Sequence, residues 1–152
     1  MENPALFCAH TGANANTPQI RPAGSQDSEA IARMAHAADM GELSEAGVTY
    51  VAEVDGAVVG FIRLVEEDGS WFVNPVVIES ARRGRGIGRA LMRFARQRKG
   101  PLRFVARGYA VPFYQKLGCT TIPWSEIPAS LASDCDACDM LATCFPQPMI
   151  LK

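Results

Sequence analysis

An α+β fold is predicted, built on a mixed, mostly antiparallel sheet of about six or seven strands flanked by about four helices. Three observations predict it. Between residues 48 and 78 apolar and polar residues alternate with period two, and two short polar turns break the run. The segments 86–99 and 110–117 switch to a helical period. Short apolar runs at 102–106, 119–122 and 147–151 then return to strand character.

The first residues, 1–18, are rich in Ala, Asn, Thr and Pro without periodicity and read as a loose leader. The remainder, 19–152, suits a single domain. A strand is expected around Ile20. Ser25 and Asp27 offer caps for a helix over about 27–38, with Ile31, Met34, Ala35 and Ala38 on one face. A second short helical turn is expected near 40–46. Val48–Val54 and Ala57–Val65 pair about the turn signal Asp55-Gly56. Glu66 to Gly69 form the next turn, and 70–78 the third strand of a meander. Pro75 lacks an N–H, so a bulge or gap in the ladder is expected there. On 86–99 the apolar stripe is Ile87, Ala90, Leu91, Phe94 and Ala95, and Gly100-Pro101 ends the helix. Gly118 stands at a C-cap position after the 110–117 helix. Residues 123–146 read as a loop holding Pro123, Pro128 and three cysteines.

Nearly half of the residues are apolar and a fifth are charged, the profile of a globular domain and not of a disordered chain. No apolar run reaches the roughly 18–20 residues of a spanning helix, and no basic, apolar leader marks a signal peptide. A cytoplasmic protein with reduced thiols is expected. The net charge of −1 conceals a segregation. Residues 80–125 hold eleven of the fifteen Lys and Arg and no acid, so this segment carries +11 and the rest −12. Such a block predicts an anionic partner, either nucleic acid or a small polyphosphate.

The run Arg83, Gly84, Arg85, Gly86, Ile87, Gly88 and Arg89 decides for the polyphosphate. It lies between a strand and an amphipathic helix. A helix N-terminus exposes free N–H groups and partial positive charge, and glycines let backbone approach an anion. A P-loop needs Lys-Ser/Thr after its last glycine, and Arg89-Ala90 follows here. A dinucleotide fingerprint needs G-x-G-x-x-G and an acid about 20 residues on, and neither is present. The run Arg83-x-x-Gly86-x-Gly88, after Val76, Val77 and Ile78, closely resembles the R/Q-x-x-G-x-G/A loop of the GNAT superfamily of N-acetyltransferases, and element order and type agree over roughly 19–122. The resemblance implies a GNAT-like fold, with acetyl-CoA as co-substrate and transfer of acetyl to a primary amine by direct attack on the thioester. It implies that the loop amides hold the coenzyme pyrophosphate and that the backbone of Val76 and Ile78 meets the pantetheine arm. Spare arginines are then available to the 3′-phosphate.

The segment Phe113, Tyr114, Gln115, Lys116, Leu117 and Gly118 resembles the family's A-x-x-F-Y-x-x-x-G-F, with Cys119 where the last Phe is usual. By resemblance Tyr114 is the general acid to the departing thiolate, and the backbone N–H of Ile78 is the oxyanion contact. The position of the Glu that many relatives use as base falls at Phe72. Asn74 is no base, and Glu79 is expected at the strand end. His36 is expected at the surface, so no base is assigned and a water chain takes that place.

Cys135, Cys138 and Cys144 form C-x-x-C-x5-C. A C-x-x-C can begin a zinc site, but one ligand is missing unless Cys8 or His10 folds back, and the plainer reading is small buried thiols. With Met149 the spacing resembles the tail of the acetyltransferase domain of N-acetylglutamate synthases, which implies an amino acid as acceptor. The alternatives are a protein or peptide N-acetyltransferase and a non-catalytic acetyl-CoA sensor. The expected partner is a small-molecule amine, with neither nucleic acid nor membrane. Homodimers are common in such folds, though no residue identifies an interface.

Overall fold

The computed structural model describes residues 17–136, 138 and 141–152. The expected leader lies almost wholly outside them. Seven strands form one sheet: β1 (Gln19–Pro22), β2 (Val48–Val54), β3 (Ala57–Glu67), β4 (Ser70–Ile78), β5 (Leu102–Ala106), β6 (Thr120–Thr121) and β7 (Gln147–Leu151). Their spatial order is β1-β2-β3-β4-β5-β7-β6. All neighbours are antiparallel except β4 and β5, which run parallel. The helices are α1 (Ser28–Ala37), α2 (Ile87–Lys99), α3 (Val111–Leu117), α4 (Ala129–Asp136) and α5 (Leu141–Cys144). This is the expected mixed, mostly antiparallel α+β architecture.

Turn chemistry sets the meander. Asp55 and Gly56 take φ of 52° and 79°, and Asp68 and Gly69 take 52° and 81°. Paired positive φ values are the hairpin geometry that matches strand twist. Because the second turn is only Asp68-Gly69, Glu66 and Glu67 pair with Trp71 and Ser70, and β3 runs two residues beyond the expected Val65. The expected irregularity at Pro75 is present, as a register shift between Ile62 and Leu64.

The sheet is covered on both faces. On one face α2 buries Ile87, Leu91, Met92 and Ala95 against Val59, Ile62, Leu64, Leu102 and Phe104. Phe94 meets Tyr50 edge-on at 5.0 Å between ring centres. On the other face Met34 and Ala35 of α1 pack on Val51, Phe61 and Val77.

Three local expectations are corrected. Asp27 does not cap α1. It is buried, and its carboxylate accepts from Arg21 at 2.7 and 2.9 Å and from the Gly24 N–H at 2.7 Å. The nearby guanidinium holds its pKa below the ordinary carboxylate value. Residues 40–46 form no helical turn. Asp39, at φ 59°, ends α1, and side-chain bonds described below hold the segment in an irregular path. Residues 123–146 are not all loop, since α4 starts directly after Pro128, whose carbonyl accepts from the N–H groups of Leu131 and Ala132. Among the described residues no helix is long and apolar enough to cross a membrane.

Asp27→Ala is expected to lower stability by about 1–2 kcal/mol, because it strands Arg21 and the Gly24 N–H. Thermal melts of both proteins check this. The depressed pKa means the Asp27 contribution is present above the ordinary carboxylate range and is lost as pH falls through its folded pKa. The gap between the two melts should therefore close in acid.

Candidate active site

β4 and β5 pair only at Trp71–Leu102 and Phe72–Arg103. β4 continues to Ile78 and β5 to Ala106 without further pairing, so a cleft opens between them. The register of β4 with β3 then decides which way its backbone points. The Glu79 N–H donates to the Val59 carbonyl at 2.8 Å, which makes 59–79, and by alternation 61–77, the hydrogen-bonded pairs. Ile78 opposite Gly60, and Val76 opposite Ile62, are the non-bonded pairs. Their N–H and C=O groups therefore face away from β3, into the cleft.

The glycine loop stands at the same end of β4. Gly84 and Gly86 have φ of 80° and 83°, a region that side chains with Cβ rarely adopt, and a Cβ at either would meet nothing within 4 Å. Gly86 is the N-cap of α2, and its carbonyl accepts from the Ala90 N–H at 3.0 Å. The first N–H groups of α2, from Ile87, Gly88 and Arg89, have no partner within the helix. Ile87 is buried, Arg83 and Arg85 are exposed, and Arg89 is half-buried. Gly88 permits close packing, since a Cβ there would lie 3.4 Å from Phe113 and 3.7 Å from Ile78. The start of α2, the end of β4 and the start of α3 thus converge. Among the described residues of the basic segment only Arg103 forms an ion pair, with Glu126 at 3.2 Å. The loop arginines therefore keep their charge available for an anion.

Tyr114 is set against the cleft by its neighbours. Its ring packs on Phe104 of β5 at 4.6 Å and on Phe113 at 5.0 Å. Burial first, then Cys119 and Tyr109, push its pKa up to about 12, while Arg107 pulls the other way. Burial likewise pushes Cys119 up to about 11. Gly118, at φ 102°, closes α3 in the expected left-handed conformation.

Phe72 is buried in the strand. Asn74 is half-buried, and Glu79 follows the end of β4. His36 is exposed on α1, and His10 lies outside the described residues, as does Cys8. Cys135 and Cys144 are half-buried and Cys138 exposed, and the Cys138 N–H donates to the Cys135 carbonyl at 3.1 Å. No group of three His, Cys, Asp or Glu among the described residues is placed to hold a metal ion.

Two arginines near the cleft are not singled out by sequence pattern. Arg63 is buried in β3, and its Nη1 donates to the Asn74 carbonyl at 2.7 Å. Arg107, at the end of β5, donates to the Ala38 carbonyl at 2.7 Å. The available signal for Arg63 is a cation inside the apolar run 58–65.

Residues 45–119 match the family model of the acetyltransferase (GNAT) domain. A sequence search of curated proteins finds no match. Among solved structures, N-acetylglutamate synthase from Neisseria gonorrhoeae, complexed with coenzyme A and N-acetyl-glutamate, superposes with a TM-score of 0.73 at 15% identity. The match covers 91% of this chain but only 35% of the synthase. Rv2747 from Mycobacterium tuberculosis, in a complex with CoA, gives a TM-score of 0.65 at 21% identity, over 88% of this chain and 98% of that one. Naa50 from Arabidopsis thaliana, bound to a bisubstrate analogue, gives 0.63 at 11% identity, over 90% and 99%. These likenesses establish the fold. Together with the family match they show that the chain carries an acetyltransferase domain of the GNAT superfamily.

Proposed function

We propose that this protein transfers acetyl from acetyl-CoA to the primary amine of a small molecule, with an amino acid as the favoured class. The observation that carries the reading is the convergence of the glycine loop, the cleft-facing backbone of Val76 and Ile78, and Tyr114 at one end of the β4–β5 cleft. The residues fit the co-substrate. Gly84 and Gly86 leave open backbone for a pyrophosphate, with Arg83, Arg85 and Arg89 beside it. Val76 and Ile78 supply strand-like hydrogen bonds to an amide-bearing arm.

Acetyl-CoA supplies an activated acyl carbon with a thiolate leaving group. The Ile78 N–H stabilises negative charge on the carbonyl oxygen as a neutral amine attacks. Tyr114, protonated at all physiological pH values, donates its proton to the departing sulfur. Positioning of both reactants supplies much of the acceleration, and water takes the proton that the amine releases. The tail Cys135, Cys138, Cys144 and Met149 supports an amino-acid acceptor through its resemblance to N-acetylglutamate synthases, and the complex of the gonococcal synthase with N-acetyl-glutamate agrees with that class.

The test is release of free thiol from acetyl-CoA in the presence of amino acids, polyamines, aminoglycosides and lysine peptides. Turnover with amino acids alone is the expected result. Turnover confined to peptides would replace the acceptor class. A thermal shift with acetyl-CoA but no turnover on any amine would make the protein a sensor.

A further inference from the structure

Residues 38–46 join α1 to β2, and arginines from the sheet hold both ends of this segment. At one end Arg107 donates from Nη2 to the Ala38 carbonyl at 2.7 Å and lies 3.7 Å from Met40 Sδ. At the other, Arg63 donates from Nε to the Ala46 carbonyl at 3.1 Å and from Nη2 to Ser44 Oγ. The same guanidinium donates from Nη1 to the Asn74 carbonyl on β4. A planar fork suits this work, since one side chain satisfies two chain segments at once.

The positions of these anchors follow from the strand register. Phe72–Arg103 is the last pair that joins β4 to β5. Asn74 lies two residues beyond it on β4, and Arg107 four residues beyond it on β5. One anchor therefore stands on each rim of the cleft, and residues 38–46 run from one rim to the other. Met40 and Leu43 pack with Phe61 and Val77, on the α1 face of the sheet. The glycine loop belongs to α2, on the opposite face. A coenzyme seated on that loop enters the cleft from the α2 face, which leaves the α1 face for the second substrate.

We propose that residues 38–46 are a strap that walls the acceptor side of the cleft, with Arg63 and Arg107 as the positioning residues that fix it. The assignment of the acceptor side rests on the acetyltransferase reading above; the strap itself does not.

The experiment uses the full chain with Arg107→Met and Arg107→Lys. Hydrogen exchange of amides in 38–46 is measured alongside steady-state kinetics with each substrate varied. Arg107→Met should speed exchange across 38–46 and raise the acceptor KM at least 10-fold, with the acetyl-CoA KM unchanged within 2-fold. Arg107→Lys, which keeps one donor group, should fall between. Unchanged exchange overturns the strap. A fall in kcat with both KM values unchanged overturns its role toward the acceptor. The acetyl-CoA thermal shift of the unmodified protein separates the two readings: its absence sinks the acetyltransferase proposal, while the exchange data still decide the strap.

Discussion

Gly86→Val is expected to abolish the rise in melting temperature that acetyl-CoA produces and to raise its KM at least ~100-fold, or about 2.7 kcal/mol of binding. Two effects combine. Gly86 sits at φ 83°, where a side chain bearing Cβ costs about 1–2 kcal/mol, and more when branched. A Cβ there also occupies the open space beside the loop amides that the pyrophosphate needs. Only the second effect is specific to binding. Gly69→Val separates them, because Gly69 has a φ of 81°, the same open surroundings, and a place at the far end of β4 from Ile78. Both variants should melt lower, but only Gly86→Val should lose the coenzyme response. If the two respond to acetyl-CoA alike, the glycine loop is not the anion site.

How far sequence reaches depends on whether each feature is local. The hairpins are legible because Asp55-Gly56 and Asp68-Gly69 specify their turns within two residues. The loop-to-helix junction at Gly86 is legible for the same reason, as is the irregularity at Pro75. The cleft is not, because it comes from the two-residue pairing of β4 with β5, partners some thirty residues apart. Nor does pattern alone show that Val76 and Ile78 face the cleft. That follows from their register with Ile62 and Gly60, and a one-residue slip would reverse it. Residues 40–46 mislead because Ser44 and Ala46 answer to Arg63, a distant cation, and not to helix propensity. The helix α4 is masked by Pro128, a residue that reads as a loop signal yet suits a helix start.

Tyr114→Phe is the second large effect. It should lower kcat by about 100-fold, the scale of one general acid, and change the acetyl-CoA KM little, because the ring contacts with Phe104 and Phe113 survive. The pH dependence makes the assignment specific. A phenol pushed up to about 12 by burial remains a proton donor across the working range, so Tyr114 should impose no alkaline loss of activity below about pH 11. Stability carries the same signature with a defined sign. The fold favours the neutral forms of Tyr114, raised from 10.0 to about 12, and of Cys119, raised from 9.0 to about 11. Their contribution is complete below about pH 9 and is lost as pH rises toward 12, since the unfolded chain releases these protons first. Thermal melts between pH 8 and 11 should therefore fall more steeply for the unmodified protein than for Tyr114→Phe. A variant that keeps full kcat removes Tyr114 from the chemistry. A variant that loses kcat with an unchanged alkaline stability profile shows a phenol in water, where it would titrate near 10 and no longer serve as a buried acid.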